Sequence, residues 1–335
     1  MSNQSSTTSS QFQPNATASS NATARVCAVV VTFNRHAMLR ECLNALQGQS
    51  RSLDQILVVD NASTDETLAM LRDEFPRVEV LALPTNDGGA GGFHVGMKWA
   101  RDQKFDWLWL MDDDGVPLPD CLELLLQANE PSDVARVLVP LQQNKLGYRY
   151  GVCRWDGNAQ EITSEVEAGR LPLEGAYLFA FVGPLIPLSL VEKVGLPHAN
   201  FFIYFDDWEY ALRIHKVKAP VRIVPGALFL HDIGGHVRHA RLLWYRSIRV
   251  TPAPWKLYYG GRNAIWTLAH AGRPRRELHR YLGFNARWII GDILYEADRW
   301  QRVSMRLKGI FDGLGNRMGK RVAPGGAPPK SKSGS

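Results

Sequence analysis

The chain has 335 residues, 45% of them hydrophobic and 21% charged, with a formal net charge of +6 and a pI near 9.2. That is enough apolar material for one large core with an appendage, and no apolar run approaches the ~20 residues a membrane span requires. Residues 1–24 are rich in Ser, Thr, Asn and Gln, with neither a basic start nor an apolar stretch, so they read as a disordered tail rather than a signal peptide, and a cytoplasmic protein is expected. Cys27, Cys42, Cys121 and Cys153 lack the spacing of zinc or redox motifs and read as reduced thiols. The Asn-x-Ser/Thr triplets at Asn15, Asn21 and Asn61 carry no meaning in that compartment.

Val26 to Phe33 is an unbroken strand-like run ending at Thr32-Phe33-Asn34-Arg35, and the spacing of His36 to Gln47 predicts a helix with Met38, Leu39, Leu43 and Leu46 on one face. Gln55 to Val59 reads as a second strand, ending in Asp60-Asn61-Ala62-Ser63-Thr64-Asp65. A helix over Glu66–Phe75 follows, with Ser63 or Thr64 as its cap. Val78 to Leu83 is a third strand, closed by Pro84. After it come Asn86-Asp87-Gly88-Gly89-Ala90-Gly91-Gly92-Phe93 and a helix from about His94 to Asp102. Trp107 to Met111 is a fourth strand and delivers Asp112, Asp113 and Asp114, after which Gly115, Pro117 and Pro119 force a turn. Alternating strands and helices with short connections predict an α/β fold with a doubly wound, mostly parallel sheet, whose polar strand ends gather on one edge.

From Leu138 to Ile233 the pattern is less regular. Strand candidates at Ala176–Val182, Val221–Val224 and Leu228–Leu230 predict a mixed sheet and close a main domain over 25–240. Residues 241–320 hold sixteen Lys and Arg against five Asp and Glu, interleaved with Trp244, Tyr245, Trp255, Tyr258, Tyr259, Trp266, Trp288 and Trp300. This stretch reads as a basic C-terminal helical extension. It is either packed on the core or resting on the anionic inner surface of the membrane. Residues 321–335, rich in Gly, Pro, Lys and Ser, read as a disordered tail.

Three adjacent carboxylates repel one another unless a cation or a set of donors neutralises them. An acidic triplet alone reads as a solvated turn, but a buried strand before it and a forced turn after it favour a divalent-metal site for a phosphorylated ligand. The glycine run lacks Gly-x-Gly-x-x-Gly spacing, and no P-loop is present. It reads as a flexible loop or as backbone open to a nucleotide. In Phe205-Asp206-Asp207-Trp208-Glu209-Tyr210, paired acids among apolar neighbours suit a general base, or else Asp206 caps a helix with Asp207 and Glu209 in its first turn. His231 closes an apolar segment as a packed residue or a metal ligand. His236 and His239, beside Arg238 and Arg241, read as surface or substrate-facing.

The ordered set Val31-Thr32-Phe33-Asn34-Arg35, Val59 to Asp65, Asn86 to Phe93, Asp112-Asp113-Asp114 and Asp206-Asp207-x-Glu209 resembles family 2 glycosyltransferases of the GT-A fold, in particular bacterial galactofuranosyltransferases, over roughly Arg25 to Gly235. The resemblance implies an inverting transfer from a nucleotide sugar, favouring UDP-galactofuranose, onto a hydroxyl of a lipid-linked or cell-surface glycan. It implies that Thr32, Arg35, Asp113 and the backbone at Gly89 line the nucleotide pocket and that Asp60 and Asn86 contact the uracil. Asp112, Asp114 and His231 would hold Mn²⁺ or Mg²⁺, and Asp207, or else Asp206, would be the catalytic base. Tyr258-Tyr259-Gly260-Gly261-Arg262-Asn263 is similar to a segment of rhamnosyltransferases that use a deoxythymidine-diphosphate sugar, which keeps that donor open. A nucleotide-dependent oxidoreductase leaves the Asp triplet unexplained, and a nucleic-acid-binding protein leaves both acidic clusters unexplained, so no nucleic-acid partner is expected.

Overall fold

The computed structural model describes residues 24–130, 134–232, 236–242, 245–323 and 325. Apart from Ala24, the expected N-terminal tail with Asn15 and Asn21 lies outside the described residues, as do Trp244 and, of the C-terminal tail, residues 324 and 326–335.

The strands are β1 (Val26–Thr32), β2 (Gln55–Asp60), β3 (Glu79–Ala82), β4 (Trp107–Asp112), β5 (Val116–Pro117), β6 (Val137–Gln143), β7 (Arg149–Tyr150), β8 (Cys153–Trp155), β9 (Ala159–Glu161), β10 (Glu174–Gly175), β11 (Tyr177–Leu178), β12 (Leu185–Pro187), β13 (Val221–Leu230), β14 (His236–Leu242) and β15 (Tyr245–Thr251). The helices are α1 (His36–Gln47), α2 (Thr67–Glu74), α3 (Gly88–Asp102), α4 (Cys121–Gln127), α5 (Thr163–Glu167), α6 (Leu188–Val194), α7 (Asp206–Lys216), α8 (Pro254–His270), α9 (Arg275–Tyr295) and α10 (Arg299–Leu314).

The main sheet runs β10-β13-β6-β12-β4-β1-β2-β3. Its β3-β2-β1-β4 half is parallel, β6 and β13 are parallel, and β12 enters antiparallel to both β4 and β6. Alternation along β1 sends Cys27, Val29 and Val31 into one core with Phe93 and Met97 of α3, while Val26, Ala28 and Val30 face Leu39, Leu43 and Leu46 of α1. The chain steps outward from β1 to β2 and β3 and then returns to β4 on the other side of β1. The carboxyl ends of β1 and β4 therefore bound a topological switch point, where open α/β sheets bind ligands.

Four expectations need correction. Met38 is exposed, and Cys42 takes its place on the buried face of α1. Neither Ser63 nor Thr64 caps α2: Ser63 Oγ accepts from the Asn34 backbone N–H, and the Thr64 N–H donates to Asn34 Oδ1, tying the two loops together. The glycine run is not a loop, because α3 begins at Gly88. A Cβ on Gly92 would sit 2.5 Å from Val31 Cγ1 and one on Gly96 2.4 Å from Val29 Cγ1, so these glycines let the helix lie close on β1. Finally, His236–Leu242 and Tyr245–Thr251 pair antiparallel as β14 and β15, and the C-terminal helices start only at Pro254, so the first part of the basic, aromatic stretch is strand rather than helix. The described side chains do not include those of His236 and His239.

Candidate active site

Parallel register places Thr32 beside Asp60, and Val31 beside Asp112, so the tips of β1, β2 and β4 end level with one another. Thr32 Oγ1 donates to Asp113 Oδ2 at 2.7 Å. The Arg35 guanidinium donates to Asp113 Oδ1 at 3.1 Å and to Asp114 Oδ2 at 2.8 Å. A strand-end hydroxyl and one guanidinium thus neutralise part of the triplet.

The three acids are not equivalent. Burial, followed by the charges of Asp114, Asp113 and Asp206, pushes Asp112 well above the ordinary carboxylate range. Burial also raises Asp113, against the pull of Arg35 and Thr32. Burial works upward on Asp114 as well, but His231 and Arg35 outweigh it and hold that carboxyl below the usual range.

His231, at the end of β13, reaches the triplet with Nε2 3.5 Å from Asp114 Oδ1. Tyr150 donates its hydroxyl proton to the His231 carbonyl at 2.7 Å, and the ring Nδ1 lies 2.8 Å from the same hydroxyl. With Nδ1 engaged by Tyr150, Nε2 is the ring nitrogen turned toward Asp114, where its lone pair is available to a cation placed between them. Asp114 Oδ1 is buried with no hydrogen-bond partner. Among the described residues, no three His, Cys, Asp or Glu side chains form a ready cation cage. The donor set instead fits an open site: a carboxylate oxygen without a hydrogen bond, an oriented imidazole nitrogen and the neighbouring Asp112 carboxyl. Mg²⁺ and its kin commonly bind one or two carboxylates and take further ligands from a phosphorylated substrate.

Asp60 and Asn86 each make a local turn contact. Asp60 is fully buried, and its carboxylate accepts the Ser63 N–H at 3.1 Å, closing the turn after β2. Asn86 Oδ1 accepts from the Gly88 N–H at 2.8 Å. A Cβ on Gly89, unlike one on Gly91 or Gly92, would meet nothing within 4 Å, so this first turn of α3 has free space beside its backbone.

Asp206 and Asp207 open α7. Neither is the cap: that position is Phe205, whose backbone is left-handed at φ 68°. Asp206 is buried and lies within electrostatic reach of Asp112. Asp207 is half-buried and accepts the Trp208 N–H at 2.7 Å; burial raises the hydroxyl proton affinity of Tyr204 nearby, and the Asp207 charge adds to that. Burial raises both carboxyls, and Asp206, which also feels the Asp207 charge, is raised further. The more exposed member, Asp207, is therefore also the more readily ionised.

Sequence reasoning missed what holds this pair. The loop before α7 has positive φ at Phe202, Tyr204 and Phe205, a conformation costly for such residues unless neighbours enforce it. Fully buried Asn263 donates its amide to the carbonyls of Phe201, Ile203 and Tyr204 at 3.0, 3.0 and 2.7 Å. Buried Arg262 donates to those of Asn200, Phe201 and Gly319. Tyr258 donates to Asp312 at 2.7 Å, and Tyr259 Oη accepts the N–H groups of Arg321 and Val322. The first residues of the expected C-terminal tail are thereby folded back, and Lys320 donates to the Asn86 carbonyl. The Phe202 carbonyl in turn accepts the Ala90 N–H, and a Cβ on Gly88 (φ +74°) would lie 2.0 Å from its oxygen, so α3 and the Asp206–Asp207 loop form one unit. Lys256, in the first turn of α8, lies over the Tyr204 and Trp255 rings within electrostatic reach of the triplet: burial, then Arg35, lower its proton affinity, against the pull of Asp114 and Asp112.

Comparison with known proteins was made against this geometry. The family model described as glycosyl transferase family 2 matches residues 27–149. Galactofuranosyltransferase GlfT1 of Mycolicibacterium smegmatis is 31% identical over 216 residues, which are 62% of this chain and 71% of that protein. The dTDP-rhamnosyl transferase RfbF of Shigella flexneri is 23% identical over 251 residues, 72% of this chain and 79% of its own. The crystal structure of GalNAc-T7 with UDP, GalNAc and Mn²⁺ superposes with a TM-score of 0.53 at 17% identity. The match covers 73% of this chain and 50% of that one, a likeness of fold alone.

Proposed function

Because the chain belongs to glycosyltransferase family 2, we propose that it transfers galactofuranose from UDP-galactofuranose, with inversion at the anomeric carbon, to a hydroxyl of a lipid-linked or cell-surface glycan. The observation that carries the mechanism is the convergence at one sheet edge of an acidic triplet, an oriented histidine and a half-buried acidic pair. The donor choice is supported by the 31% identity to a galactofuranosyltransferase.

Asp112, Asp114 and His231 would hold Mn²⁺ or Mg²⁺, which supplies charge neutralisation for a departing diphosphate. Arg35 locks Asp113 and Asp114 in place and adds its own positive charge to that edge. Lys256 brings a second cation from α8. Asp207 takes the proton of the acceptor hydroxyl as that oxygen attacks the anomeric carbon, and the nucleoside diphosphate leaves from the opposite face. One displacement inverts the centre and requires no covalent glycosyl-enzyme. Gly89 leaves backbone space beside the donor, whereas Asp60 supports that edge from beneath.

The test is purified protein with Mn²⁺ and an alkyl glycoside acceptor panel, supplied in turn with UDP-galactofuranose, UDP-galactopyranose and dTDP-rhamnose. Transfer from UDP-galactofuranose at a rate well above the others is expected. Faster transfer from dTDP-rhamnose, the reading favoured by the Shigella relative, would replace the donor while leaving the edge chemistry intact.

A further inference from the structure

We propose that the outward face of α10 docks the enzyme on an anionic lipid surface, which would make a membrane-held lipid the carrier of its acceptor. The inference deepens the acceptor side of the function proposed above and rests on it only for that last step.

At 3.6 residues per turn, Trp300, Ser304, Leu307, Phe311 and Leu314 fall on one side of the helix. Four of these are large apolar side chains, and all four are exposed: Trp300 at 70% and Phe311 at 65%, with Leu307 and Leu314 less so. The opposite side is fixed. A Cβ on Gly309 would stand 2.6 Å from the Tyr258 carbonyl oxygen and one on Gly313 2.6 Å from that of Arg262, so α10 meets α8 backbone to backbone. Rotating the helix to bury its apolar stripe would lose that contact. Buried Arg302 and Asp312 are anchored from the same inner side, Arg302 to Asp298 and the Pro252 carbonyl and Asp312 to Tyr258. The stripe is thus held outward by the packing of its own helix.

The charge around it selects the occupant. From Arg299 to Arg321 the only acid in the sequence is Asp312, which is buried and paired with Arg317 and Arg321, while Lys320 bonds the Asn86 carbonyl; the exposed cations on α10 itself are Arg299 and Lys308, one on either side of the stripe. An apolar stripe with Trp and Phe flanked by cations, on a helix lying flat on its domain, is the form of an interfacial membrane helix. Among the described residues no helix is long and apolar enough to cross a bilayer, so the contact is peripheral.

Full-length protein is sedimented at low salt with vesicles of phosphatidylcholine alone or of phosphatidylcholine containing phosphatidylglycerol, and transfer to a water-soluble acceptor is read in parallel. Wild type should pellet with the anionic vesicles only. Trp300→Ser combined with Phe311→Ser should lower that partition at least about tenfold, and Lys308→Glu about fivefold or more, at the scale of ~1 kcal/mol for each cation near anionic lipid. Thermal melting and soluble-acceptor turnover should stay unchanged in both variants. Equal pelleting with neutral vesicles, or undiminished pelleting of the double variant, overturns the proposal. So does a wild-type dimer, seen by sedimentation equilibrium without lipid, that the double variant dissociates, since the face then belongs to a second copy. Vesicle binding does not depend on transfer, so absence of sugar transfer with intact lipid binding would sink the donor reading alone.

Discussion

His231 Nε2 stands 3.5 Å from Asp114 Oδ1, and that oxygen is buried with no hydrogen bond from any neighbour. The two atoms come from opposite halves of the sheet, the ends of β13 and β4. Tyr150 Oη, held on the His231 carbonyl, fixes which ring nitrogen faces the acid. Asp114→Asn and His231→Ala should each abolish the Mn²⁺-dependent part of UDP binding measured by calorimetry, with the melting temperature near wild type. Tyr150→Phe, which leaves the imidazole in place but unoriented, should weaken metal affinity by ~10–100-fold. Metal-independent UDP binding of equal strength in all four proteins would remove the cation from this site.

The glycines of α3 separate into two classes by experiment. Gly92→Ala should cost ~1–3 kcal/mol of unfolding free energy, because its methyl group collides with Val31 in a packed core. Gly89→Ala meets open space and gains helix propensity, so its denaturation midpoint should equal or exceed that of wild type. The opposite ranking in urea would contradict the packing assigned to this helix.

Asn263→Asp tests the support of the acidic pair. The substitution keeps the volume but removes the N–H groups that satisfy three carbonyls and sets an acceptor against them. A destabilisation of ~2–4 kcal/mol is expected, together with a fall in kcat larger than any change in the affinity for UDP. Unchanged kcat with reduced stability would confine Asn263 to the scaffold.

Burial raises the Asp207 carboxyl, and a base must be unprotonated to act. The sign is therefore fixed: kcat/KM should fall as pH decreases, through a midpoint above the ~4 of a free carboxylate. Asp206, raised further, shares the titration, so the limb reports the pair. An acid limb at or below the ordinary carboxylate value would argue against a buried base.

The parallel half of the sheet was legible because its strands are short apolar runs separated by helices of clear period, and the triplet was legible as charge placed against a buried strand. The start of α3 was hidden because glycine has poor helix propensity, and only the proximity of Val31 and Val29 explains why a helix is built from it. Asp60 was legible as a polar strand end, but its bond to the Ser63 N–H was not, since turn formers and ligand contacts use the same residue types. Arg262 and Asn263 could not be connected to Asp206–Asp207, since they are about sixty residues apart and meet through backbone carbonyls that leave no sequence signature.

The most direct test of the account is Asp207→Asn assayed with UDP-galactofuranose and Mn²⁺, with UDP affinity measured on the same preparation. Turnover should drop by ~10²–10⁴-fold, the usual loss for a positioned base, while UDP affinity and melting temperature stay at wild-type values. Near-normal turnover, or a loss matched by Asp206→Asn alone, would contradict the assignment of Asp207 as the base of this site.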